Sequence, residues 1–437
     1  MRDDDTIYAL STAPGRAGIA VVRLSGPRAP EALGTLAGRL PQPRHATRVR
    51  FRDADGETID EGLALFFPVP ASITGEDVAE LHLHGGRAVL QGVFDELARL
   101  GLRLAEPGEF TRRGFLNGKL DLAAAEGLAD LVAAETAAQR RQALRQLAGE
   151  LGRTTEAWRE QLLQMQAKLE AAIDFPDEDL PLGLWEESCR AAAALAAEIG
   201  RFLADDHRGE RVREGVSVAI LGPPNAGKSS LMNALARRDV AITAASAGTT
   251  RDVIEVALDL GGYPVLLADT AGLRASADAV EEEGVRRARE RAARADLKLV
   301  VVDATKPEEL AHVRDLVDDD AVLVANKVDL LPLGAEPRVG YPLSVKTGAG
   351  MEALLAALSV AVAHRLAPSG GAIVTRARHR EALVECRASL LRFGEAHLPE
   401  LAAEDLRAAA RALGRITGRT GVEDMLDRLF AQFCIGK

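Results

Sequence analysis

Cysteine is scarce: Cys189, Cys386 and Cys434 are the three that 437 residues contain. They form no CxxC pair and have no histidine at zinc spacing, which argues against a disulfide framework or a structural zinc site and fits a reducing compartment best. The chain also lacks any run of about 18 apolar residues, the least that a membrane-spanning helix needs. Its first residues, MRDDDTIYAL, are acidic where a signal or transit peptide carries positive charge. A cytoplasmic location without membrane contact is therefore expected. Positive charge is short as well: 54 Lys and Arg face 65 Asp and Glu, a formal net charge of −11. This argues against coating nucleic acid by charge alone, although it does not exclude a local basic face. There is no internal repeat and no low-complexity tract. A composition of 47% hydrophobic and 27% charged residues is that of an ordinary globular protein, which rules out wholesale disorder. At roughly 100–200 residues per domain, the length suits two to four domains.

Three textures follow one another. From Thr6 to about Gly114, short apolar runs (IYAL, GIAVVRLSG, EGLALFFPVP, AELHLHGG) are punctuated by Gly15, Pro27, Pro68 and Pro107, with one helical stretch near Leu90–Leu100. This reads as a compact α+β domain. From Leu120 to about Leu203, Ala, Leu, Glu, Gln and Arg with apolar residues three and four apart predict amphipathic helices, with breaks at Gly149, Gly152, Pro176 and Pro181. From Gly215 to about His364 the continuous apolar runs VSVAIL, YPVLLAD, LKLVVVDAT and AVLVANKVD alternate with helical segments, the pattern of a doubly wound parallel sheet. Helical texture returns from about Thr375 to Phe433. The economical arrangement is one helical domain interrupted by an inserted α/β domain, with two independent helical domains as the alternative.

The segment GPPNAGKS, Gly222 to Ser229, fits GxxxxGK(S/T), directly after one strand and before the helix-like SLMNALARR. That context marks a P-loop: backbone N–H groups and a helix N-terminus face the phosphates, Lys228 reaches the β and γ oxygens, and Ser229 holds Mg²⁺. Thr249-Thr250-Arg251-Asp252 lies after a polar loop where a switch can present a hydroxyl to Mg²⁺. Asp269-Thr270-Ala271-Gly272 ends a strand, the place of a Walker-B carboxylate and a γ-phosphate-sensing glycine. Asn326-Lys327-Val328-Asp329 ends another. There a carboxylate accepts from both N1–H and the 2-amino group of guanine, a donor pair that adenine lacks. Ser344-Val345-Lys346 completes a base pocket. This ordered set resembles the translation-factor-like GTPases, so GTP is expected over ATP. After Gly272 stands Leu273, which has no polar group to orient a water. Arg274, Glu281, Glu282 and Glu283 are left as candidates, and the three glutamates also read as the acidic first turn of a helix.

Beyond these motifs, TIYALSTAPGRAGIAVVRLSG, GEDVAELHLHGG, PGEFTRRGFLNGKLDLAAAEGLADL, AGTTRDVIE, DTAGLR and the terminal FCIGK run from residue 6 to 437. Together they resemble the MnmE (TrmE) family of tRNA uridine-modifying GTPases. The resemblance implies a multidomain α/β and α+β protein. An N-terminal folate-binding and dimerisation domain would span 1–117, a discontinuous helical domain 118–213 and 366–437, and an inserted doubly wound P-loop GTPase domain 214–365. It also implies a homodimer that works with the flavoprotein MnmG, as a heterotetramer, on C5 of the wobble uridine of certain tRNAs. A 5-formyl- or 5,10-methylene-tetrahydrofolate would be the one-carbon donor.

The resemblance carries GTP contacts onto Gly222, Asn225, Ala226, Gly227, Lys228, Ser229 and Ser230, and onto Ala244, Ala245, Ser246, Ala247, Gly248, Thr249 and Thr250. It does the same for Asp269, Thr270, Ala271, Gly272, Asn326, Lys327, Asp329, Ser344, Val345 and Lys346. Mg²⁺ falls to Ser229 and Thr250. K⁺, which takes the place of an arginine finger once two GTPase domains pair, falls to Asn225, Ala244, Ser246 and Thr249. Glu281 matches the water-activating glutamate and joins Asp269 and Lys228 as catalytic. Ala244 departs from the family, where Thr or Ser is common, and SVK replaces SAK. Folate contacts fall on Arg23, Glu80, Lys119 and Lys437. A carboxylate suits the amide-and-amine edge of a pterin, and cations suit the glutamate tail. Cys434 is a possible reactive thiol beside the folate. His82 and His84 share a strand face, but without a third ligand they do not read as a metal site.

Two alternatives share some of these motifs. One is a ribosome-assembly GTPase, which would lack the folate-type N-terminal domain and the FCIGK tail. The other is a folate-dependent one-carbon enzyme with a regulatory GTPase insert, which would turn over folate without GTP. The negative net charge implies that RNA binding is borrowed partly from a more basic partner. Filter binding of tRNA to the isolated protein at physiological salt should therefore show no submicromolar affinity, and such an affinity would overturn the idea.

Overall fold

The computed structural model describes residues 5–174, 184–238, 240–242, 255–269, 295–332, 335, 337, 339–366, 374–396, 398–420, 423–431, 433 and 436. The chain forms two compact units, Met1–Ala129 with Leu147–Glu160 and Ala410–Lys437, and Asp130–Gln146 with Gln161–Ala409.

The first unit is built on strands β1 (Ile7–Leu10), β2 (Ala17–Ser25), β3 (Thr47–Arg52), β4 (Thr58–Phe67), β5 (Val78–Gly85) and β6 (Arg103–Leu104). They form one sheet in the order β3-β4-β5-β2-β1-β6, antiparallel except for the β1–β6 pair. Period-2 alternation sorts its faces. Val22, Leu24 and Leu81 are buried with Leu33 and Leu36 of helix α1 (Ala29–Ala37) and Leu97 of α2 (Arg87–Arg99), while Arg23 and Glu80 alternate with them toward the opposite face. Helix α1 has a proline in its first turn and ends on Gly38 at φ 74, the pairing of start and stop signals expected of a short helix. Helices α3 (Glu109–Leu116) and α4 (Leu122–Ala133) follow, and Leu122 and Ala125 of α4 pack with Leu426, Phe430 and Phe433 near the C-terminus.

The sequence predicts helix breaks at both Gly149 and Gly152, and the structure breaks only at Gly149, at φ 77. Gly152 lies inside a helix, Glu150–Asp174. Its missing side chain has a different cause: a Cβ there would stand 1.9 Å from Asp121 Oδ2. The Asp121 carboxylate accepts from Ala124 N at 2.7 Å, closing the first turn of α4.

The second unit joins helices to an α/β layer. Helix α5 (Ala137–Leu147) precedes the part of α6, the Glu150–Asp174 helix already described, that begins at Gln161, then α7 (Leu184–Leu203) and α8 (Arg208–Glu214). Strands β7 (Val216–Leu221), β8 (Glu255–Leu260), β9 (Tyr263–Asp269), β10 (Leu297–Asp303), β11 (Ala321–Asn326) and β12 (Tyr341–Pro342) form a sheet in the order β12-β11-β10-β7-β9-β8. Both faces are covered: Val218, Ile220 and Leu299 belong to one core, Ala219, Leu221 and Val300 to another. This two-sided burial is why the strands read as unbroken apolar runs. The sequence predicts parallel pairing, and β8 is the exception, antiparallel to β9. Gly261 and Gly262, at φ 64 and 87, close a two-residue hairpin whose turn requires positive φ at both positions. Later in the chain, helix Ala377–Glu395 packs along α7, with Trp185 and Phe393 ring centroids 5.4 Å apart. Cys386 is fully buried there, and burial, helped by Glu385, pushes its thiol up to about 12, so it is a packing residue.

A buried ion cluster braces the first unit. Arg113, 2% exposed, binds Asp5 at 2.5 Å, Glu76 at 3.0 Å and Glu109 at 3.1 Å, and Arg103 binds Glu109 at 2.6 Å. Burial pushes the Glu109 carboxyl up, but hydrogen bonds from Arg103, the Glu106 amide and Arg113 outweigh it and hold the group below its ordinary 4.5. A depressed carboxyl contributes stability above its unfolded value and loses it as pH falls through the folded one. Glu109→Gln should therefore cost about 3 kcal/mol at pH 7. In urea unfolding, the gap to the parent protein should shrink as pH drops below 4.5.

Candidate functional site

Strand β7 delivers the chain into Gly222 at φ 140, where a Cβ would lie 2.0 Å from the Val301 carbonyl oxygen. Only glycine fits so close to the neighbouring strand. The loop then turns through Asn225 at φ 62 and Gly227 at φ 99 into helix α9 (Lys228–Ala236). Lys228 Nζ donates to the carbonyls of Gly222 at 2.8 Å and Pro223 at 2.7 Å, folding the amine back over the loop. Ser229 and Ser230 sit in the first turn of α9, whose N-terminal amides and dipole favour an anion.

The base-side residues come from the ends of parallel strands. Asn326 closes β11 and is 3% exposed. Its Nδ2 donates to Ala226 O at 2.8 Å and its Oδ1 accepts from Val345 N at 3.2 Å, so one carboxamide ties the P-loop to the Ser344–Lys346 turn. Ser344, fully buried, donates through Oγ to Asp329 Oδ1 at 2.6 Å and accepts from Thr347 N at 3.2 Å. The serine thereby orients the carboxylate that the sequence assigns to guanine. Lys327 takes the left-handed region, φ 66, and its Nζ donates to Asp303 Oδ2 at 2.7 Å.

Asp303 carries no motif of its own; its one signal in the sequence is its place at the end of a strand. Burial pushes its carboxyl up, but hydrogen bonds from Lys327 and Thr305 bring it below the ordinary range. Asp269 ends β9 in register with Ile220 of β7, two residues before Gly222. Thr270, Ala271, Gly272, Glu281, Cys434, Lys437 and the whole stretch Ala244, Ala245, Ser246, Ala247, Gly248, Thr249 and Thr250 lie outside the described residues.

The candidate folate residues lie in the first unit. Arg23 of β2 and Glu80 of β5 are cross-strand partners, with Arg23 Nη2 2.8 Å and Nε 3.0 Å from Glu80 Oε1. The guanidinium stands 5.9 Å from the centre of the Phe110 ring. His82 Nε2 lies 3.3 Å from Glu80 Oε2, while His84 is bound to Asp60 at 2.8 Å. Among the described residues no cluster of His, Cys, Asp and Glu suits a metal. Lys119 packs beside Gly75, where a Cβ would be 3.0 Å from its Cε. The C-terminal tail reaches the same unit: Gly436 O accepts from Ser11 Oγ at 2.9 Å, and a Cβ on Gly436 would stand 2.2 Å from Leu10 O. Leu10 is in β1, and its neighbour Ala9 is in register with Arg23.

A P-loop on a doubly wound sheet, with an Asn-Lys-x-Asp segment and a serine turn bonded to it, defines a guanine-nucleotide-binding protein. The full chain allows a closer comparison. The family described as "MnmE helical domain" matches residues 122–434, and "GTP-binding protein TrmE N-terminus" matches 6–119. Proteins named tRNA modification GTPase MnmE are similar throughout. That of Paramagnetospirillum magneticum is 56% identical over 99% of this chain and 100% of its own, and that of Parvibaculum lavamentivorans 57% over 99% and 100%. That of Rhodospirillum rubrum is 55% identical over 99% of each. The chain belongs to the MnmE family and is a GTPase.

Gly227 has the least room for change: a Cβ would meet Asn326 Nδ2 at 2.2 Å. Gly227→Ala should displace the Asn326 bridge and lower affinity for GDP at least about 100-fold, the cost of two lost hydrogen bonds in a rigid site. Equilibrium titration with GDP measures it.

Proposed function

We propose that this chain hydrolyses GTP in a potassium-stimulated way that depends on pairing of two GTPase domains. With the flavoprotein MnmG it would add an aminomethyl or carboxymethylaminomethyl group to C5 of the wobble uridine, U34, of certain tRNAs. The carrying observation is the junction of Ala226, Asn326 and Val345 with Ser344 on Asp329, a base pocket for guanine, in a chain similar over its full length to tRNA modification GTPases. In this reading residues 1–117 bind folate and dimerise, 118–213 with 366–437 form the helical domain, and 214–365 the GTPase domain. The protein acts in the cytoplasm as a homodimer, and as a heterotetramer with MnmG.

Each residue has a physical task. Lys228 gives up its two carbonyl partners to meet the β and γ phosphate oxygens, Asp329 accepts from guanine, and Glu281 orients the attacking water. Ser229, in the first turn of α9, suits Mg²⁺ together with Thr250, and Asn225, already turned to positive φ in the loop, suits K⁺ with Ala244, Ser246 and Thr249. When bound, such cations neutralise charge that develops between the β and γ phosphates. Arg23 and Glu80 form a ready donor–acceptor pair, the carboxylate for a pterin edge and the guanidinium for glutamate-tail carboxylates, and Lys119 and Lys437 suit the same tail. Bound tetrahydrofolate would supply the one-carbon unit, as the 5-formyl or 5,10-methylene form.

Steady-state GTP hydrolysis in KCl and in NaCl at equal ionic strength tests the reading. Stimulation by potassium of roughly ten-fold or more is expected, a size in keeping with charge stabilisation at one position. Equal, slow rates in both salts would overturn the potassium site in the chain acting without a partner.

A further inference from the structure

We propose that Asp303 is a positioning residue of the guanine pocket, fixing the Lys327 side chain for the base while touching no part of the nucleotide itself. The inference rests on the reading of Asn326, Lys327 and Asp329 as the base site. It begins with strand register. Asp303 and Asn326 are the last residues of β10 and β11 and stand opposite each other, and Ala304 N donates to Asn326 O at 2.7 Å, carrying the ladder to its end. The next residue, Lys327, is left-handed at φ 66 and ψ 33. For a residue with a side chain that conformation is unfavourable, so it persists only where the surroundings hold it.

The surroundings do hold it. Asp303 is 4% exposed, and an unpaired carboxylate at that depth would be costly. One oxygen accepts from Thr305 N at 3.0 Å and Thr305 Oγ1 at 2.7 Å, which sets the orientation of the group. The other accepts from Lys327 Nζ at 2.7 Å. A pair like this contributes little net stability, because desolvation offsets the attraction. Its effect is to fix a direction. Ordering a free lysine side chain costs conformational entropy, and here that order exists before any nucleotide arrives. With the amine engaged by Asp303, the four-carbon stem is what Lys327 has to offer, an apolar strip suited to the flat face of a purine. Asp329 is held in the same manner by Ser344. Both charged side chains of the Asn-Lys-Val-Asp segment are thus anchored by a residue from outside it.

The test uses the full-length protein, with equilibrium affinities for GDP, IDP and ADP and the dissociation rate of a fluorescent N-methylanthraniloyl GDP. Asp303→Asn keeps the shape and removes the charge. It should weaken GDP about ten-fold, the size of one hydrogen bond to a charged group, mostly through faster dissociation. IDP should weaken by the same factor, since it presents the same plane without the 2-amino group. Lys327→Met keeps an apolar stem and removes the head, and adding Asp303→Asn to it should cause no further loss, because the two residues act as one. Should Asp303→Asn fold poorly by circular dichroism, Thr305→Val removes one of the two bonds that orient the carboxylate without touching the pair and should weaken GDP and IDP two- to three-fold. Losses that multiply in the double variant, or GDP affinity within two-fold of the parent in the folded single variant, would overturn the role of Asp303. A parent protein that fails to prefer GDP over ADP would instead overturn the base-pocket reading beneath it.

Discussion

The Asn326 carboxamide is the contact on which the nucleotide site depends. Its two polar atoms bond to main-chain groups of Ala226 and Val345, 100 residues before it and 19 after. At 3% exposure, neither bond competes with water, and a missing partner would leave a buried polar group unsatisfied. The bridge forms only if β7, β10 and β11 end at matching heights, and their parallel register provides that. It also requires that Gly227 carry no side chain, since the space a Cβ would fill is taken by Asn326 itself. Backbone freedom at one glycine and side-chain chemistry at one asparagine are therefore a single constraint.

The first unit applies the same economy with a sheet instead of a loop. Its apolar face is covered by α1 and α2, which leaves the alternate residues, Arg23 and Glu80 among them, on the other face. Pairing across antiparallel strands makes them one donor–acceptor unit. Beside them, β1 receives the end of the chain, where Gly436 meets Leu10 and Ser11. The buried Arg113 cluster, with Asp5, Glu76 and Glu109, draws the N-terminal segment, the loop before β5 and α3 together.

Much of this was legible from local patterns. A strand, a glycine loop and a helix are near in sequence, so the P-loop could be read directly, and two-sided burial wrote itself into the apolar runs of β7, β10 and β11. Other features misled or were silent for reasons that are equally physical. Gly152 looked like a helix break because glycine has poor helix propensity, yet it lies in a helix where Asp121 leaves no room for a Cβ. The β8–β9 hairpin was hidden within a stretch read as parallel, because the Gly-Gly turn is only two residues long. Helices α1 and α3 are short, eight or nine residues, too few turns to show a clear period against their surroundings. Asp303 belongs to no motif, since its task depends on a residue 24 positions away.

By itself the sequence determined the class of the protein. Ordered motifs, strand-like runs and the resemblance across residues 6 to 437 required no coordinates, because each rests on neighbours in the chain. Only the tertiary structure decided which side chains hold one another: Asn326 to the P-loop, Ser344 to Asp329, Lys327 to Asp303, Arg23 to Glu80, Ser11 to the tail at Gly436. The reason is that hydrogen bonds and ion pairs act over about 3 Å in space, whatever the separation along the chain. Strand register and helix docking convert distant positions into such neighbours, and local sequence carries no direct record of that conversion.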